Sequence, residues 1–294
     1  MLEDPTLKEN SKMRGLICPN CKHTLEVAQI PYFCPGCNEN YPLIDGIPLL
    51  FNRAQMVRYR MSKGTVQEYY RHAARNYGET HHVAFPGAQR FLVDFEQRIK
   101  KYLYSDARLL EIGAGTGFAT HVIARYVKTP VITDASLEML LINKTNRAGL
   151  MAFCCTTENL PFSDEMFDAI IGNNTFYLVP NKREGMRSIA RVLRKGGRLV
   201  LSEMNPYMPL WPILFVLKGR FFESSVYQIF PFQMKALSAP FGMEIEKVDY
   251  YSSTPYFAGK KLLWAGEKIQ NLVKYNKIAR YFSTIRIFYV LKKV

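Results

Sequence analysis

From Arg108 onward, short apolar runs recur along the chain, each ending in small or polar residues, with stretches of helical spacing between them. Runs that are apolar throughout, rather than alternating, suit strands buried on both faces of a parallel sheet. The pattern predicts strands at 108–113, 130–134, 151–155, 167–173, 197–203, 245–252 and 284–291, with helices in the links. The fold class this implies is α/β, a doubly wound, seven-stranded, Rossmann-like sheet. Upstream, residues 53–105 read as a helical lead-in broken at Gly64, Gly78 and Pro86-Gly87, and residues 1–14 are polar enough to fray. The link between the fifth and sixth strands is long. Residues 206–244 form an insertion opening with Pro206-Tyr-Met-Pro-Leu-Trp-Pro-Ile-Leu-Phe-Val-Leu217, and an insertion of that length beside a binding face reads as a lid or a substrate wall.

A smaller module precedes all of this. Cys18-Pro-Asn-Cys21 and Cys34-Pro-Gly-Cys37 are two CxxC knuckles separated by twelve residues, and each short turn aims two sulfurs at one centre where tetrahedral Zn2+ fits. With four thiolates no ligand position stays open, which makes the expected metal structural. Just beyond, Asp45-Gly46 sits between two short apolar segments as a hairpin turn. The expected division is residues 1–52 as a four-cysteine zinc ribbon and 53–294 as the main domain. The remaining cysteines, Cys154 and Cys155, fall in an apolar run that reads as a buried strand.

The chemistry of the main domain centres on Leu109-Leu-Glu-Ile-Gly-Ala-Gly-Thr-Gly-Phe118. Gly113, Gly115 and Gly117 allow a tight turn and close approach of a ligand to the backbone ahead of a helix. Dinucleotide enzymes use a related loop, so the glycines alone leave the ligand open. Asp134 ends the second strand, where a carboxylate suits both hydroxyls of a ribose; the alternative is a cap for the next helix, a job Ser136 also fits.

Glu111, two residues before the first glycine, resembles the acidic residue of motif I in class I S-adenosylmethionine-dependent methyltransferases. Further stretches are similar to that family in order: Thr156-Thr-Glu-Asn-Leu-Pro-Phe162 ahead of Phe167-Asp168, Ile170-Ile-Gly-Asn173, and Arg191-Val-Leu-Arg-Lys-Gly-Gly197. Glu68-Tyr-Tyr70-Arg-His-Ala73 resembles a segment of the ubiquinone and menaquinone methyltransferases (methyltransferase type 11), whose tyrosine covers the cofactor's carboxylate. The resemblance spans about residues 68–204 and implies S-adenosylmethionine as cofactor and methyl transfer as activity. It implies a cofactor site of Tyr70, Glu111, Gly113, Ala114, Gly115, Gly117, Asp134, Ala135, Thr156, Thr157, Glu158 and Asn173, and a strand order of 3-2-1-4-5-7-6 with an antiparallel last strand. Thr156 departs from the pattern, since many relatives carry Asp there; the adenine amino contact then falls to Thr156 or to backbone. The ribbon's Cys34-Pro-Gly-Cys-x3-Tyr-Pro-Leu-Ile-Asp-Gly-Ile-Pro-Leu-Leu50 resembles the small zinc-ribbon activators of tRNA and protein methyltransferases.

Composition bears on the acceptor. The chain carries a formal net charge of +14, which calls for an anionic partner such as RNA or an acidic membrane surface. Residues 1–50 carry four basic and six acidic side chains, whereas 206–294 carry thirteen basic and five acidic, together with 19 of the 39 aromatic residues. The expected acceptor is therefore a small or lipid-like molecule, with peripheral membrane contact through the basic, aromatic C-terminal region. RNA is the alternative acceptor, disfavoured by the acidic ribbon and by Asn173-Asn174-Thr-Phe in place of an Asn-Pro-Pro-Tyr motif. A non-catalytic cofactor-binding scaffold is the third reading. If the acceptor needs a base, His81 and His82 are the candidates, with His121 behind them. No secretory signal and no apolar run of membrane-spanning length is visible, so the expected location is cytoplasmic, peripheral at most to a membrane.

Overall fold

The computed structural model describes residues 13–28, 30–60, 86–145, 150–208, 228–252, 259–272 and 275–294. Tyr70, His81 and His82, and most of the proline-rich start of the insertion, lie outside the described residues.

The N-terminal module is two small antiparallel hairpins. β1 (Tyr32–Cys34) pairs with β2 (Glu39–Tyr41), and β3 (Leu43–Ile44) pairs with β4 (Ile47–Pro48). Asp45 and Gly46 connect the second pair with φ of 47° and 76°, the two left-handed positions a tight primed turn demands. Helix α1 (Arg53–Arg60) follows. Asn52 and Gln55 cap its start reciprocally: the Gln55 amide donates to Asn52 Oδ1 at 2.8 Å and the Asn52 amide to Gln55 Oε1 at 3.0 Å.

Helix α2 (Pro86–Ile99) leads into the sheet domain. The expected break at Pro86-Gly87 is the start of this helix, because a proline at the first helical position gives up an amide that has no partner there anyway. The sheet strands are β5 (Leu109–Ile112), β6 (Val131–Asp134), β7 (Met151–Cys154), β8 (Phe167–Asn173), β9 (Leu193–Met204), β10 (Met243–Tyr251) and β11 (Arg286–Lys293). They lie in the order β7-β6-β5-β8-β9-β11-β10, which is 3-2-1-4-5-7-6 when the seven are counted along the chain. β11 runs antiparallel to both neighbours, and the five strands from β7 to β9 are parallel. The links hold α3 (Phe118–Ile123), α4 (Leu137–Thr145), α5 (Lys182–Val192), α6 (Pro231–Ser238), α7 (Lys260–Leu272) and α8 (Lys277–Ser283).

β9 begins four residues before the predicted 197, because Lys195-Gly196-Gly197 is a bulge within a continuous strand. The partners of β8 jump from Leu193, opposite Phe167, to Arg198, opposite Ala169. Gly196 takes φ of 73°, and a Cβ on Gly197 would stand 2.8 Å from the Arg194 carbonyl.

Apolar residues fill both faces of the sheet. Leu110, Ile112, Leu199 and Leu201 pack with Met186 and Ile189 of α5, while Leu109, Ile171 and Val200 pack with Phe91 and Phe95 of α2 and Val122 of α3. The ribbon closes the β7 edge. Leu49 forms a parallel bridge with Cys154, and the Leu50 amide donates to the Cys154 carbonyl at 2.8 Å. Leu50 enters the core on one face of the sheet, and Leu49 and Phe51 join the core cluster of the other, the period-two alternation of a strand. Nearby, Leu16 bridges Phe162, and Gly15 O accepts from the Ser163 amide at 2.8 Å. An edge that would otherwise offer bare peptide groups is covered this way.

Candidate functional site

β5 delivers the glycine loop to the carboxyl end of the sheet, between β6 and β8. Gly113, Gly115 and Gly117 all have positive φ, at 59°, 52° and 98°. Two of them are also closed in by neighbours: a Cβ on Gly113 would lie 1.8 Å from Thr175 Oγ1, and one on Gly117 2.4 Å from Asn143 Oδ1. Gly115 differs. Among the described residues a Cβ there meets nothing within 4 Å, which leaves the crest of the loop open to close approach of a ligand to the backbone.

The loop is pinned from below and from one side. Glu111 is buried, and its Oε2 accepts from Thr120 Oγ1 of α3 at 2.7 Å; that hydroxyl accepts in turn from Asn143 Nδ2 of α4 at 3.0 Å. Glu111 thus ties the strand to the first turn of the following helix. From the side, Asp134 Oδ2 accepts the Gly115 amide and Oδ1 the Ser136 amide, each at 2.8 Å. Burial pushes the Asp134 carboxyl up, while the amides of Ser136, Gly115 and Ala135 pull it down; the net direction is upward. A carboxylate has about four lone-pair sites, so the three amides leave it acceptor capacity for a hydroxyl.

Beyond β7, Thr156 precedes a single turn over Thr157–Asn159. Thr156 Oγ1 accepts from Gln55 Nε2 at 2.7 Å, and Glu158 Oε1 from the Asn181 amide at 3.4 Å. Asn159 Nδ2 donates to the Pro19 carbonyl at 3.0 Å, and Lys22 Nζ donates to Asn159 Oδ1. The ribbon and the first turn of α1 therefore hold the segment that borders the loop.

In the ribbon, the sulfurs of Cys18, Cys21, Cys34 and Cys37 all lie within 4.8 Å of one another, with Cys18 to Cys37 at 3.6 Å and Cys21 to Cys34 at 3.4 Å. Four thiols converging on one point match the donor set of a tetrahedral metal. Asn20 Nδ2 donates to Tyr41 Oη at 2.9 Å, which leaves the tyrosine proton for Cys18 Sγ at 3.1 Å, an outer hydrogen bond of the kind that orients metal-bound sulfur.

A second polar cluster occupies the carboxyl ends of β8 and β9. Asn173 ends β8, and its Oδ1 is buried without a hydrogen-bond partner among the described residues. Glu203 is buried; its Oε1 accepts from the amides of Phe176 at 2.8 Å and Thr175 at 3.3 Å, and its Oε2 has no hydrogen-bond partner among the described residues. Burial lifts this carboxyl from the ordinary 4.5 to about 7, against the pull of the Phe176 amide, the Arg286 cation and the Thr175 amide. Arg286, from β11, is also buried. It donates to Asn174 Oδ1 at 2.7 Å and lays its guanidinium 4.6 Å from the centre of the Phe91 ring.

The structure thus brings Glu111, Gly113, Ala114, Gly115, Gly117, Asp134, Ala135 and Asn173 together at one end of the sheet, with Thr156, Thr157 and Glu158 beside them after β7. His121 stands on the exposed side of α3. Sequence reasoning assigned no role to Glu203 or Arg286. The available signal was a charged residue in each of two otherwise apolar strands, Leu199-Val-Leu-Ser-Glu203 and Arg286-Ile-Phe-Tyr-Val-Leu291.

Residues 110–201 match the family model described as a methyltransferase domain. The demethylmenaquinone methyltransferase of Paenarthrobacter aurescens (strain TC1) is 34% identical over 109 residues, 37% of this chain and 43% of that protein. The fatty-acid O-methyltransferase of Mycolicibacterium smegmatis (strain ATCC 700084 / mc(2)155) is 32% identical over 110 residues, 35% of this chain and 40% of that protein. The chain thus spans less than half the length of these curated relatives. Among solved structures, a SAM-dependent methyltransferase from Thermotoga maritima superposes with a TM-score of 0.53 at 18% identity, covering 82% of this chain and 99% of that one. The glycine loop and the strands around it therefore carry a methyltransferase-domain sequence on a fold shared with S-adenosylmethionine-dependent methyltransferases.

Proposed function

We propose that the chain transfers the methyl group of S-adenosylmethionine to a small, lipid-like acceptor by direct in-line displacement. The observation that carries this reading is the open crest at Gly115, flanked by the Asp134 carboxylate and the Thr156–Glu158 segment, inside the stretch that matches a methyltransferase domain. The cofactor supplies an electrophilic methyl on a sulfonium, so the protein's task is to align a nucleophile and exclude water.

The residues divide that task. Asp134 and the backbone at Ala135 take the ribose through the acceptor capacity that the Gly115, Ala135 and Ser136 amides leave over. Thr156, Thr157 and Glu158 border the adenine, with Thr156 in the place where many relatives carry a carboxylate. Glu111, through Thr120, fixes the loop that receives the methionine end, which Tyr70 covers. Asn173 Oδ1 and Glu203 Oε2 are buried polar atoms at the carboxyl ends of adjacent strands, without a partner among the described residues, and a hydroxyl or amine on the incoming acceptor satisfies them. His81 and His82 take the proton when the nucleophile has one to lose. In the ribbon, Cys18, Cys21, Cys34 and Cys37 hold a structural Zn2+, filling all four positions and leaving none for substrate. The lipid-like acceptor is supported by the names of the relatives, which act on a demethylated menaquinone and on fatty acids.

The test is calorimetry of the zinc-loaded chain with S-adenosylmethionine and its demethylated product, followed by transfer of labelled methyl to a lipid extract and to total RNA. Heat for both nucleosides and label in lipid are expected. Gly115→Arg fills the open crest and should abolish both heat and transfer while the far-UV circular dichroism stays unchanged. Absence of heat for either nucleoside ends the cofactor reading, and label confined to RNA ends the acceptor reading.

A further inference from the structure

We propose that the helical hairpin formed by α7 and α8 is a docking surface for an anionic lipid bilayer. Thirteen large apolar side chains are exposed among the described residues, and six of them lie between 264 and 282: Trp264, Ile269, Leu272, Tyr275, Ile278 and Phe282. Leu272, Tyr275 and Ile278 are 82%, 88% and 68% exposed, a concentration at one place that no core requires.

The placement along the helices is regular. Lys260, Trp264, Lys268 and Leu272 recur every fourth residue on α7, so they share one face. Lys268 Nζ sits 3.9 Å from the centre of the Trp264 ring, a cation over an aromatic face. On α8, Ile278 and Phe282 are one turn apart and point outward, whereas Tyr281 turns inward to pack on Tyr207 and Tyr250. The hairpin is anchored to the body from behind. The Tyr281 carbonyl accepts from Asn205 Nδ2 at 2.7 Å, and Arg90 of α2 reaches Glu267 at 3.7 Å.

Charge selects the occupant. Between 260 and 280 the sequence carries five lysines and one arginine against one acidic residue, Glu267, and that acid is turned toward Arg90. Basic side chains interleaved with tryptophan, tyrosine, leucine and isoleucine suit the boundary between headgroups and acyl chains. Nucleic acid would use the cations but leave Leu272 and Ile278 in water. A second copy of the same face would set lysine against lysine. The hairpin also borders the carboxyl end of the sheet, since Asn205 follows β9 and Thr284 precedes β11. A bilayer on this face therefore lies beside the end of the sheet that holds the candidate site.

This inference goes beyond methyl transfer and is read without cofactor, so its failure and that of the proposed activity are separate results. The full zinc-loaded chain is floated with vesicles of phosphatidylcholine alone and with vesicles containing phosphatidylglycerol. Partition into the anionic vesicles only is expected, weakened by salt. Leu272→Glu with Ile278→Glu, and separately Lys260→Glu with Lys268→Glu, should each lower the partition about tenfold or more, with unchanged thermal melting because all four sites are exposed. In a Trp211→Phe background, Trp264 emission should shift to the blue on vesicle addition and be quenched by brominated acyl chains. No partition into anionic vesicles, partition unmoved by both pairs, no quenching of Trp264, or a preference for RNA or self-association over vesicles through the same residues would each overturn the proposal.

Discussion

Asp134 and Glu203 are both acids at the carboxyl ends of strands in one sheet, and burial pushes both upward. Their surroundings differ. Asp134 receives amides from Gly115, Ala135 and Ser136, two of them from the residues just after it. Glu203 gives one oxygen to the amides after β8 and leaves the other without a partner among the described residues, and its charge compensation is Arg286 from the neighbouring strand β11. One half of the carboxyl edge is thus built locally, with both oxygens of its acid already accepting amides. The other is assembled from segments distant in sequence and holds buried polar atoms without a partner among the described residues. A buried polar atom without a partner is costly unless something else supplies one, and in that respect the two halves of the edge differ.

The largest effect expected lies on the locally built side. Cys34→Ser, or removal of metal by a chelator, should unfold the ribbon, uncover the β7 edge and lower the melting temperature by about 10 °C or more, with loss of cofactor heat because Asn159 and Gln55 lose their anchors. An unmoved melting curve after stoichiometric metal loss would mean that the ribbon is energetically separate from the sheet. On the other side, Arg286→Met removes the cation compensating Glu203 and the donor to Asn174 Oδ1, and should cost about 3–5 kcal/mol in urea denaturation; a loss below roughly 1 kcal/mol would show that the cluster is not coupled through this residue.

Glu203→Gln sharpens the comparison through pH. In the folded chain the Glu203 carboxyl stays protonated up to about 7, whereas in the unfolded chain it ionises near 4.5. The folded state binds the extra proton in that window, so the stability Glu203 contributes is complete below about pH 4.5 and is lost as pH rises through 7. The swing is roughly 3 kcal/mol at most. The Gln variant should lack that slope and match or exceed the parent chain above pH 7. Parallel stability curves from pH 4.5 to 7.5 for the two proteins would remove Glu203 from the account.

The local half was legible in the sequence because its chemistry is written in consecutive residues. Gly113 to Gly117 and Asp134 to Ser136 act on backbone within a few positions of themselves, and the apolar runs that frame them located all seven strands to within about four residues. Cys18 to Cys37 converge for the same reason, since short knuckles fix their own geometry. Arg286 and Asn174 meet across a separation of 112 residues, a contact that only the strand order creates. Gln55 reaching Thr156 and Asn159 reaching Pro19 are likewise products of docking, and no periodicity announces them. Tyr70, His81 and His82 lie outside the described residues and keep the standing the sequence gives them.

The parallel bridge between Leu49 and Cys154 carries a consequence for biosynthesis. Leu49 leaves the ribosome about 100 residues before its partner, which at ordinary elongation rates of roughly 5–20 residues per second is a delay of about 5–20 s. During that interval Leu49, Leu50 and Phe51 have no sheet to join. A metal that folds the module on its own during translation would keep those side chains in register until the β7 edge emerges, so zinc supply would set the yield of correctly assembled nascent chains.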